Sequence, residues 1–499
     1  MIYLCLIRSI KEDVIMKASC NRLKSESPDK NNSHSLSLWQ RNELIELGLR
    51  NRLKKIKDFN PESVYEKENR SISEWIREWD FSRSNTKVYT HGIHQYPAMF
   101  IPQVIRKLIL EFSSKGDTVL DIFNGSGTTM VECIVTGRKS IGIEKNPLAV
   151  LLSKVKTTPL STDILIDSYI KILNIFNSPE AVETQNFSNI DIWFTEQTKI
   201  ILSRLLYSIN SIKNDHFRNS FQICFSDIVR YFSTCKHSGF KMHRDTDKID
   251  VDWTIENILD KFHKSFESLL VGIYQLNKFS ENYYQPFIHH GDSKIFHPEI
   301  GKNSSDLIIT SPPYGDSRTT VAYGQFSRLS SQWLGLIEDK ASGIENIDAE
   351  LLGGSPNGLE LNDSVLDKSM TLKSSFNNFL WEIEKCHDLS MRKKLVNRSK
   401  DVLSFYKDLD QTIKHGSDYL KENKYFILIT GSRIVKNVKL NTDIIISEFA
   451  ENYGLVLDGI LYRKTIPKKR MPSRVSPSNV AGETSPTMTK ESIVILRKI

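Results

Sequence analysis

Short apolar runs, each bounded by turn-forming residues or by helical sequence, recur along the chain and predict seven buried β-strands. The predicted strands are Thr118–Phe123, Ser140–Glu144, Phe287–His290, Asp306–Thr310, Tyr425–Thr430, Leu455–Tyr462 and Ser492–Arg497. Helical patterns separate the first five predicted strands. Two of these patterns are Pro102–Phe112 and Thr128–Val135, and before the fifth strand one apolar helix face is formed by Val402, Phe405, Tyr406, Leu409 and Ile413. This alternation predicts an α/β fold built on a mostly parallel, seven-stranded sheet.

Two long inserts interrupt the alternation. The first, residues 157–284, has helical periodicity, for example in the apolar positions of 200–209. The second, residues 317–400, mixes Gly, Ser, Asn and Asp with amphipathic stretches. Loops of this length without secondary structure are uncommon in compact domains, so we predict that each insert is a folded subdomain.

The composition narrows the class of protein. Hydrophobic residues at 39% and charged residues at 25% exclude a wholly disordered or fibrous chain. A net charge of +7 over 499 residues permits a polyanionic partner without identifying one. The six cysteines are scattered without a C-x-x-C pair, which favours a reducing cytoplasm and argues against a zinc site. No apolar run approaches about 18 residues, so neither a membrane span nor a signal peptide is predicted.

A glycine-rich turn joins the first predicted strand to the helix that follows. Gly125 and Gly127 let a ligand approach the backbone, and the helix that begins at Thr128 presents free N–H groups. About 20 residues further on, the second strand ends in Glu144, whose carboxylate can accept both hydroxyls of a ribose. These residues predict a cradle for a nucleoside cofactor. The alternative, a glycine turn without a ligand, is disfavoured by the accompanying carboxylates of Asp121 and Glu144.

A dinucleotide site follows similar rules, but the third glycine of G-x-G-x-x-G would fall at Met130 and is absent. The carboxylate of Asp121, at the end of the first strand, would also repel a pyrophosphate. A ligand that carries a cationic sulfonium group suits this position better.

The fourth predicted strand runs directly into Ser311-Pro312-Pro313-Tyr314. Two consecutive prolines fix the backbone at the edge of the sheet where ligands bind in open α/β folds. The Ser311 hydroxyl and the Pro312 carbonyl can accept both hydrogens of an exocyclic base amine and direct its lone pair towards a methyl donor. Tyr314 can stack on a base extruded from a duplex. The alternative, an ordinary proline-rich turn, is disfavoured by the buried strand that precedes it.

Residues 121–128 and 310–314 together closely resemble the two signature motifs of the DNA amino-methyltransferases, the enzymes of restriction–modification systems that form N4-methylcytosine or N6-methyladenine. Here they read D-x-F-x-G-S-G-T and T-S-P-P-Y. The resemblance implies a Rossmann-like methyltransferase sheet with an antiparallel last strand, and S-adenosyl-L-methionine as the cofactor. It covers about half of the chain.

Other segments fit the same family pattern. Residues 94–102 resemble the segment that covers the cofactor, 142–147 the ribose-binding turn, and 291–293 the turn whose carboxylate binds the adenine amine. Residues 431–433 and 466–472 resemble later motifs. The resemblance implies a catalytic motif formed by Ser311, Pro312, Pro313 and Tyr314, and cofactor-binding residues Pro97, Phe100, Asp121, Phe123, Gly125, Gly127, Thr128, Thr129, Glu144 and Asp292.

The expected organisation follows from these motifs. It comprises an N-terminal extension, partly disordered, at 1–87, the cofactor-binding half at 88–156, a mainly helical insert at 157–284, the catalytic strand and motif at 285–316, a second insert at 317–400, and the rest of the sheet at 401–499. Only about 20 residues separate the adenine-binding turn from Ser311, so target recognition is expected in one of the inserts, with 317–400 as the candidate.

The first position of the catalytic motif bears on the product. Among the enzymes resembled, Ser at this position is commoner in N4-cytosine enzymes and Asp is usual for adenine, so cytosine N4 in double-stranded DNA is favoured and adenine N6 is the alternative. A restriction endonuclease is the expected functional partner. A tRNA guanine-N2 methyltransferase ranks lower because no RNA-binding module precedes the motifs, and two intact motifs disfavour an inactive binding module. Formation of 5-methylcytosine would need a Pro-Cys pair, which is absent.

Several further features have two interpretations each. The basic residues of 463–474 either contact phosphates or form a solvated loop, and the basic and aromatic residues of 225–244 either contact DNA or pack. A structural role is favoured for His289 and His290 over metal binding. Packing is favoured over base stacking for Trp193, Phe194 and Trp333.

Overall fold

A seven-stranded sheet organises the computed structural model, which describes residues 38–56, 79, 81, 84–236, 239–316, 321–340, 343–344, 346–356, 358–436, 438–464, 474–475, 485–486 and 490–499. Its strands are β1 (Thr118–Asp121), β2 (Lys139–Glu144), β3 (Phe287–His290), β4 (Ser305–Thr310), β5 (Leu420–Thr430), β6 (Leu455–Lys464) and β7 (Lys490–Lys498). Their order is β6-β7-β5-β4-β1-β2-β3. β7 is antiparallel to both of its neighbours, and the other pairings are parallel.

The predicted sheet is therefore confirmed, including its antiparallel last strand. The largest difference is the start of β5, which begins at Leu420 rather than at Tyr425. The residues between them are mostly polar and partly exposed, so no apolar run marks this part of the strand. Asn423 also has a φ of +59°, which interrupts the regular strand pattern.

Helices cover both faces of the sheet and build the inserts. They are α1 (Leu38–Lys55), α2 (Pro102–Phe112), α3 (Thr128–Thr136), α4 (Pro147–Lys156), α5 (Thr162–Phe176), α6 (Glu196–Asn210), α7 (Asp215–Phe232), α8 (Ile255–Leu276), α9 (Tyr323–Trp333), α10 (Met370–Lys385), α11 (Leu389–Tyr419) and α12 (Thr442–Glu451). Shorter helices are Tyr89–Gly92, Ile190–Trp193, Thr246–Lys248, Asn277–Asn282, Ile347–Glu350 and Ser364–Lys368; short strand pairs are Asp339–Lys340 with Gly343–Ile344, Arg433–Val435 with Val438–Leu440, and Arg474–Val475 with Ser485–Pro486. Among the described helices, none combines the length and apolar character needed to cross a membrane.

The sheet is buried on both faces, as its mostly parallel pairing requires. Successive residues of β1 point to opposite sides: Val119 packs with α2, and Leu120 packs in the core formed with α10, α11 and α12. The predicted apolar face of α11 lies in that second core, with all five of its predicted members buried.

The helical insert has a core of its own. Helices α5 to α8 pack around stacked aromatic rings, among them Tyr169 and Phe266 with ring centroids 4.3 Å apart. Helix α1 joins this core through Ile45 and Leu49. Trp333 at the end of α9 also lies in it, although its sequence position is in the second insert. Helix α9 of the second insert therefore shares the core of the helical insert, whereas α10 packs in the sheet core.

A buried ion network fixes the segment that precedes α2. The Glu132 carboxylate on α3 accepts hydrogen bonds from Arg106 at 2.5 and 3.0 Å, and it lies 2.7 Å from His91 Nε2. Burial alone would raise the pKa of Glu132, but Arg106 and His91 outweigh burial and hold the pKa below its usual range. This network ties residues 89–92 and helix α2 to the helix that follows the glycine turn.

Candidate active site

The carboxyl ends of four adjacent strands bring the predicted site residues to one edge of the sheet. Asp121 ends β1, Glu144 ends β2, Asp292 lies two residues after β3, and Ser311 directly follows β4. In open α/β sheets this edge is where ligands bind.

Asp121 connects the glycine turn to the catalytic motif. Its fully buried carboxylate accepts hydrogen bonds from the Thr310 hydroxyl at 2.7 Å, the Thr129 hydroxyl at 2.6 Å and the Phe123 amide at 3.0 Å. The Phe123 amide also lies 3.0 Å from Thr310 Oγ1. Burial raises the pKa of Asp121 to about 6 against the opposing effect of these donors. One carboxylate thus holds the end of β1, the first turn of α3 and the end of β4 together.

The glycine turn is tightly packed on one side and open on the other. Gly127 has a φ of +82°, and a Cβ there would lie 2.3 Å from Ser153 Oγ. Gly125 has a φ of +50°, and a Cβ there would meet only the Phe123 carbonyl oxygen, at 3.8 Å. Gly127 is thus needed for packing against α4, whereas Gly125 borders open space, as a turn that admits a ligand requires. Thr128 and Thr129 begin α3 and are buried.

Glu144 faces this turn from the end of β2. Its carboxylate accepts hydrogen bonds from the amides of Gly125 at 2.7 Å and Asn146 at 2.8 Å. Burial raises the pKa of Glu144 to about 7, with a smaller contribution from the negative charge of Asp121. The buried carboxylate of Asp121 and the half-buried carboxylate of Glu144, both with raised pKa values, therefore line the turn, and the hydrogen-bond donors around them are neutral. A positively charged ligand would stabilise both in their ionised forms.

A cleft of about 580 Å³ lies beside the ends of β2 and β3, within the size range of small-molecule sites. The sheet contributes Lys145, Pro147, His290 and Gly291. The second insert forms the rest of its wall with Gly335, Leu336, Ile337, Glu338, Ile347 and Glu350. The sequence analysis missed this role of the insert, because no local motif marks residues that meet the sheet edge only through tertiary packing.

Asp292 adjoins the cleft and is held by two lysines. Its carboxylate lies 3.6 Å from the Lys145 ammonium and 3.7 Å from the Lys294 ammonium. Lys145 also lies 2.8 Å from Glu350 of the second insert, so it connects the end of β2 to the opposite wall of the cleft.

The segment 94–102 lies over the end of β2. The Tyr96 ring stacks on Tyr323 of α9 with centroids 6.1 Å apart, and its hydroxyl accepts a hydrogen bond from Asn146 at 3.2 Å. Pro97 is buried, and Phe100 is half-buried against the core on the α2 side of the sheet. Asn146 also caps α4 and contacts Ser327, so this residue joins the segment, the sheet and the second insert.

In the catalytic motif, Pro312 is buried and Ser311, Pro313 and Tyr314 are half-buried. Burial raises the pKa of Tyr314 well above its usual range, so its phenol stays neutral.

A second buried carboxylate follows the motif. Asp316 is fully buried between Arg433, with which it forms a short ion pair, and Arg398, at 3.0 Å. A Cβ at Gly315 would lie 2.6 Å from the Arg433 guanidinium, so a larger residue there would push the guanidinium out of its present position. Segment 431–433 was marked by its family resemblance, but Asp316 and Arg398 were not predicted. Their pairing depends on residues more than 80 positions apart.

The structure decides some of the remaining two-way interpretations. Arg463 is buried and paired with Glu491 at 3.0 Å, so neither phosphate contact nor a solvated loop describes it. The Arg230 guanidinium binds backbone carbonyls of the 236–241 turn, which is a packing role. Trp333 is buried among aromatic rings, as packing predicts. Residues 465–473 lie outside the described residues, and so do the side chains of Lys464 and Arg474.

Comparison with known proteins agrees with this arrangement. A family described as DNA methylase, of the N6 and N4 type, matches residues 12–154. Type II methyltransferase M.MvaI of Kocuria varians is 36% identical over 436 residues, covering 84% of this chain and 93% of that protein. Type II methyltransferase M.BsoBI of Geobacillus stearothermophilus is 27% identical over 289 residues, covering 52% and 55%. DNA adenine methyltransferase YhdJ of Escherichia coli is 40% identical over 68 residues, covering 14% and 22%.

The fold and the site define a Rossmann-like methyltransferase, a class whose cofactor is S-adenosyl-L-methionine. The chain belongs to the DNA amino-methyltransferase family and is a DNA methyltransferase of the type II restriction–modification kind. The open side of Gly125 and the carboxylates of Asp121 and Glu144 fit a nucleoside ligand that carries a positive charge.

The Asp316 network yields a testable prediction. Arg433→Met removes one partner of a fully buried carboxylate, and we expect a loss of about 3–5 kcal/mol in the free energy of unfolding together with reduced turnover. The double variant Asp316→Asn/Arg433→Met should recover much of that stability, because no uncompensated charge remains. Denaturant unfolding of the wild type, both single variants and the double variant measures the coupling. Additive losses would contradict a direct interaction.

Proposed function

We propose that the protein transfers a methyl group from S-adenosyl-L-methionine to the exocyclic N4 of cytosine in double-stranded DNA, as the modification partner of a restriction endonuclease. The observation that carries this proposal is a neutral serine hydroxyl at the first position of the catalytic motif, held beside the glycine turn by the contact between Thr310 and Asp121.

When bound, S-adenosyl-L-methionine supplies an electrophilic methyl group on a positively charged sulfur. The residues proposed to hold it surround the glycine turn: Glu144 accepts the ribose hydroxyls, Asp292 accepts the adenine amine, and Asp121 positions the turn. The other proposed binding residues are Pro97, Phe100, Phe123, Gly125, Gly127, Thr128 and Thr129. Glu144 can keep its two amide donors and still accept the ribose, because a carboxylate offers about four lone-pair sites.

The catalytic motif is proposed to hold the target cytosine outside the duplex. Tyr314 stacks on the base and offsets part of the few kcal/mol that extrusion costs. The Pro312 carbonyl and the Ser311 hydroxyl each accept one hydrogen of the N4 amine, while Pro313 restricts the backbone. The neutral Ser311 hydroxyl has two lone pairs, so it can accept a hydrogen of the amine whichever group receives its own proton.

Adenine N6 remains the second candidate, and one observation favours it. The similarity to YhdJ, whose name specifies adenine, spans 68 residues. That stretch is 14% of this chain. Since Ser rather than Asp occupies the position that faces the amine, cytosine is the better-supported base.

The identity of the product tests the proposal. Duplex DNA methylated by the purified protein with a deuterated methyl donor should yield labelled N4-methylcytosine on mass spectrometry of its nucleosides. Labelled N6-methyladenine would favour the second candidate. Labelled 5-methylcytosine would overturn the mechanism.

The role of Ser311 can be separated from its effect on folding. Ser311→Ala should lower kcat about 5- to 10-fold while the affinity for cofactor stays unchanged, because one neutral hydrogen bond that orients the amine is removed. Ser305→Ala is a matched control, since Ser305 begins the same strand and its buried hydroxyl has no hydrogen-bond partner within the described part of the chain. Equal turnover in the two variants would contradict the proposed role.

The pH dependence of cofactor binding tests the role of Glu144. Its pKa of about 7 means that the carboxylate is largely protonated at pH 6 and largely ionised at pH 8. A protonated carboxyl accepts fewer hydrogen bonds, so affinity should rise up to about tenfold between those pH values and then level off. Glu144→Gln should bind weakly with a flat profile in calorimetry. Burial also lowers the pKa of Lys156 to about 7 and raises that of Asp121 to about 6, so a pH dependence that persists in Glu144→Gln would point to one of these two groups instead.

We also propose where DNA binds on the second insert. The carboxyl-terminal end of α11, at Tyr419, lies at the edge of the sheet where β5 begins. Further towards its amino terminus, Arg398 of α11 pairs with Asp316 beside the catalytic motif, at the opposite edge of the sheet. Residues 389–397, about 14 Å of helix, extend beyond that contact. The amino-terminal end of α11 therefore projects past the face that carries the site.

This projecting end, residues 389–397, is exposed or partly exposed, and it is basic. It carries Arg392, Lys393 and Lys394 and has no acidic residue. Cations that extend beyond the catalytic motif are placed to contact the phosphates of a duplex whose base enters the site.

The triple variant Arg392→Gln/Lys393→Gln/Lys394→Gln tests this surface. We expect weaker DNA binding and unchanged cofactor affinity. The slope of log Kd against the logarithm of the salt concentration should become smaller by about 0.9 for each phosphate that the variant no longer neutralises. The control Lys115→Gln/Lys139→Gln/Lys302→Gln removes the same charge at the opposite edge of the sheet, before or at the start of β1, β2 and β4. Equal salt dependence in both triple variants would refute the placement.

A further inference from the structure

We propose that His289, His297 and Glu299 form a binding site for a divalent transition-metal ion such as Zn²⁺, on the edge of the sheet beside the turn that carries Asp292. Two imidazoles and one carboxylate are a ligand set that such ions use, with water in the remaining position.

The three side chains already meet at distances that a metal ion requires. His289 Nδ1 lies 3.1 Å and His297 Nδ1 lies 3.9 Å from Glu299 Oε1. All three ligand atoms lie within 4.8 Å of one another. With metal–ligand distances of about 2.0–2.2 Å in a tetrahedral site, ligand atoms are separated by about 3.3 Å. Small side-chain rotations would therefore close the site around an ion.

His297 is oriented as a metal ligand would be. Its Nε2 lies 2.9 Å from the Asp292 carbonyl oxygen, an arrangement in which Nε2 carries the proton and the lone pair of Nδ1 faces Glu299. Metal-binding histidines usually donate their second N–H in this way. The backbone amide of His297 also donates to the Tyr419 hydroxyl at 2.6 Å, which fixes the residue against the last residue of α11.

The two imidazoles are packed against each other where a glycine leaves room for them. Their ring centroids are 4.3 Å apart. A Cβ at Gly291 would lie 2.4 Å from His289 Nε2 and 2.7 Å from His297 Cε1.

An ion at this site would tie the end of β3 to residues 297–299 and enclose the turn that carries Asp292. This consequence rests on the proposed function, because Asp292 is the proposed acceptor for the adenine amine. The site itself does not depend on that assignment. The sequence analysis favoured a structural role for His289, since its two partners lie eight and ten residues further on without a recognisable ligand motif.

Metal titration of the untagged full-length protein after chelator treatment tests the site directly. Calorimetry with Zn²⁺ should show one ion bound per chain. Visible absorption with Co²⁺ should show the same stoichiometry and the spectrum of a four-coordinate ion. His289→Ala and His297→Ala should each weaken metal binding more than about 100-fold. Loss of a residue that only hydrogen-bonds to a metal ligand costs about 10- to 100-fold in affinity, and loss of the ligand itself should cost more. His290→Ala is the matched control, because His290 is exposed on the same strand and contacts the Lys145 carbonyl instead.

Stoichiometric binding that is abolished in His289→Ala and His297→Ala but kept in His290→Ala would establish the site. No binding, or equal binding in all three variants, would overturn it. Cofactor affinity measured with and without Zn²⁺ tests the link to Asp292 separately. An intact metal site without an effect on cofactor affinity would count against the role of Asp292 and leave the site standing.

Discussion

The carboxylate of Asp121 is the interaction on which the site depends. Asp121 and Thr310 are 189 positions apart in sequence, yet their side chains meet at 2.7 Å inside the sheet. The same carboxylate holds the first turn of α3 through Thr129 and the glycine turn through the Phe123 amide. The cofactor cradle and the catalytic motif are consequently parts of one rigid edge. Methyl transfer needs such an arrangement because nucleophile and donor must be aligned within a few tenths of an ångström.

A second buried carboxylate extends this rigidity beyond the motif. Asp316 connects the residues after Tyr314 to Arg433 on the hairpin after β5 and to Arg398 on α11. The second insert is thereby anchored at three places. Arg398 pairs with Asp316, residues 335–338 form a wall of the cleft, and Trp333 packs in the helical core. The insert also carries the projecting end of α11. An insert held in this way would be able to position DNA in the manner proposed above, because its fold is anchored to the motif that is proposed to act on the base.

The sequence was sufficient to predict the elements whose signal is local. The seven strands and the glycine turn each occupy a short stretch with a characteristic pattern, and they lie close to their predicted bounds apart from the start of β5. The catalytic role of residues 311–314 stays a prediction. The elements that were missed are long-range. The pairing of Asp316 with Arg398 and the wall of the cleft near Leu336 depend on tertiary packing, which leaves no periodicity in the chain. Arg463 resembled part of a basic loop because its partner, Glu491, follows 28 residues later on the neighbouring strand.

The most direct test of the connected site compares two threonines at the same edge of the sheet. Thr310 ends β4 and donates to Asp121, whereas Thr430 ends β5 and its buried hydroxyl has no partner among the described residues. Single-turnover methyl transfer should slow at least about tenfold in Thr310→Val, with weaker cofactor binding, and should be unchanged in Thr430→Val. Equal rates and cofactor affinities in the two variants would show that the glycine turn and the catalytic motif do not depend on the contact through Asp121.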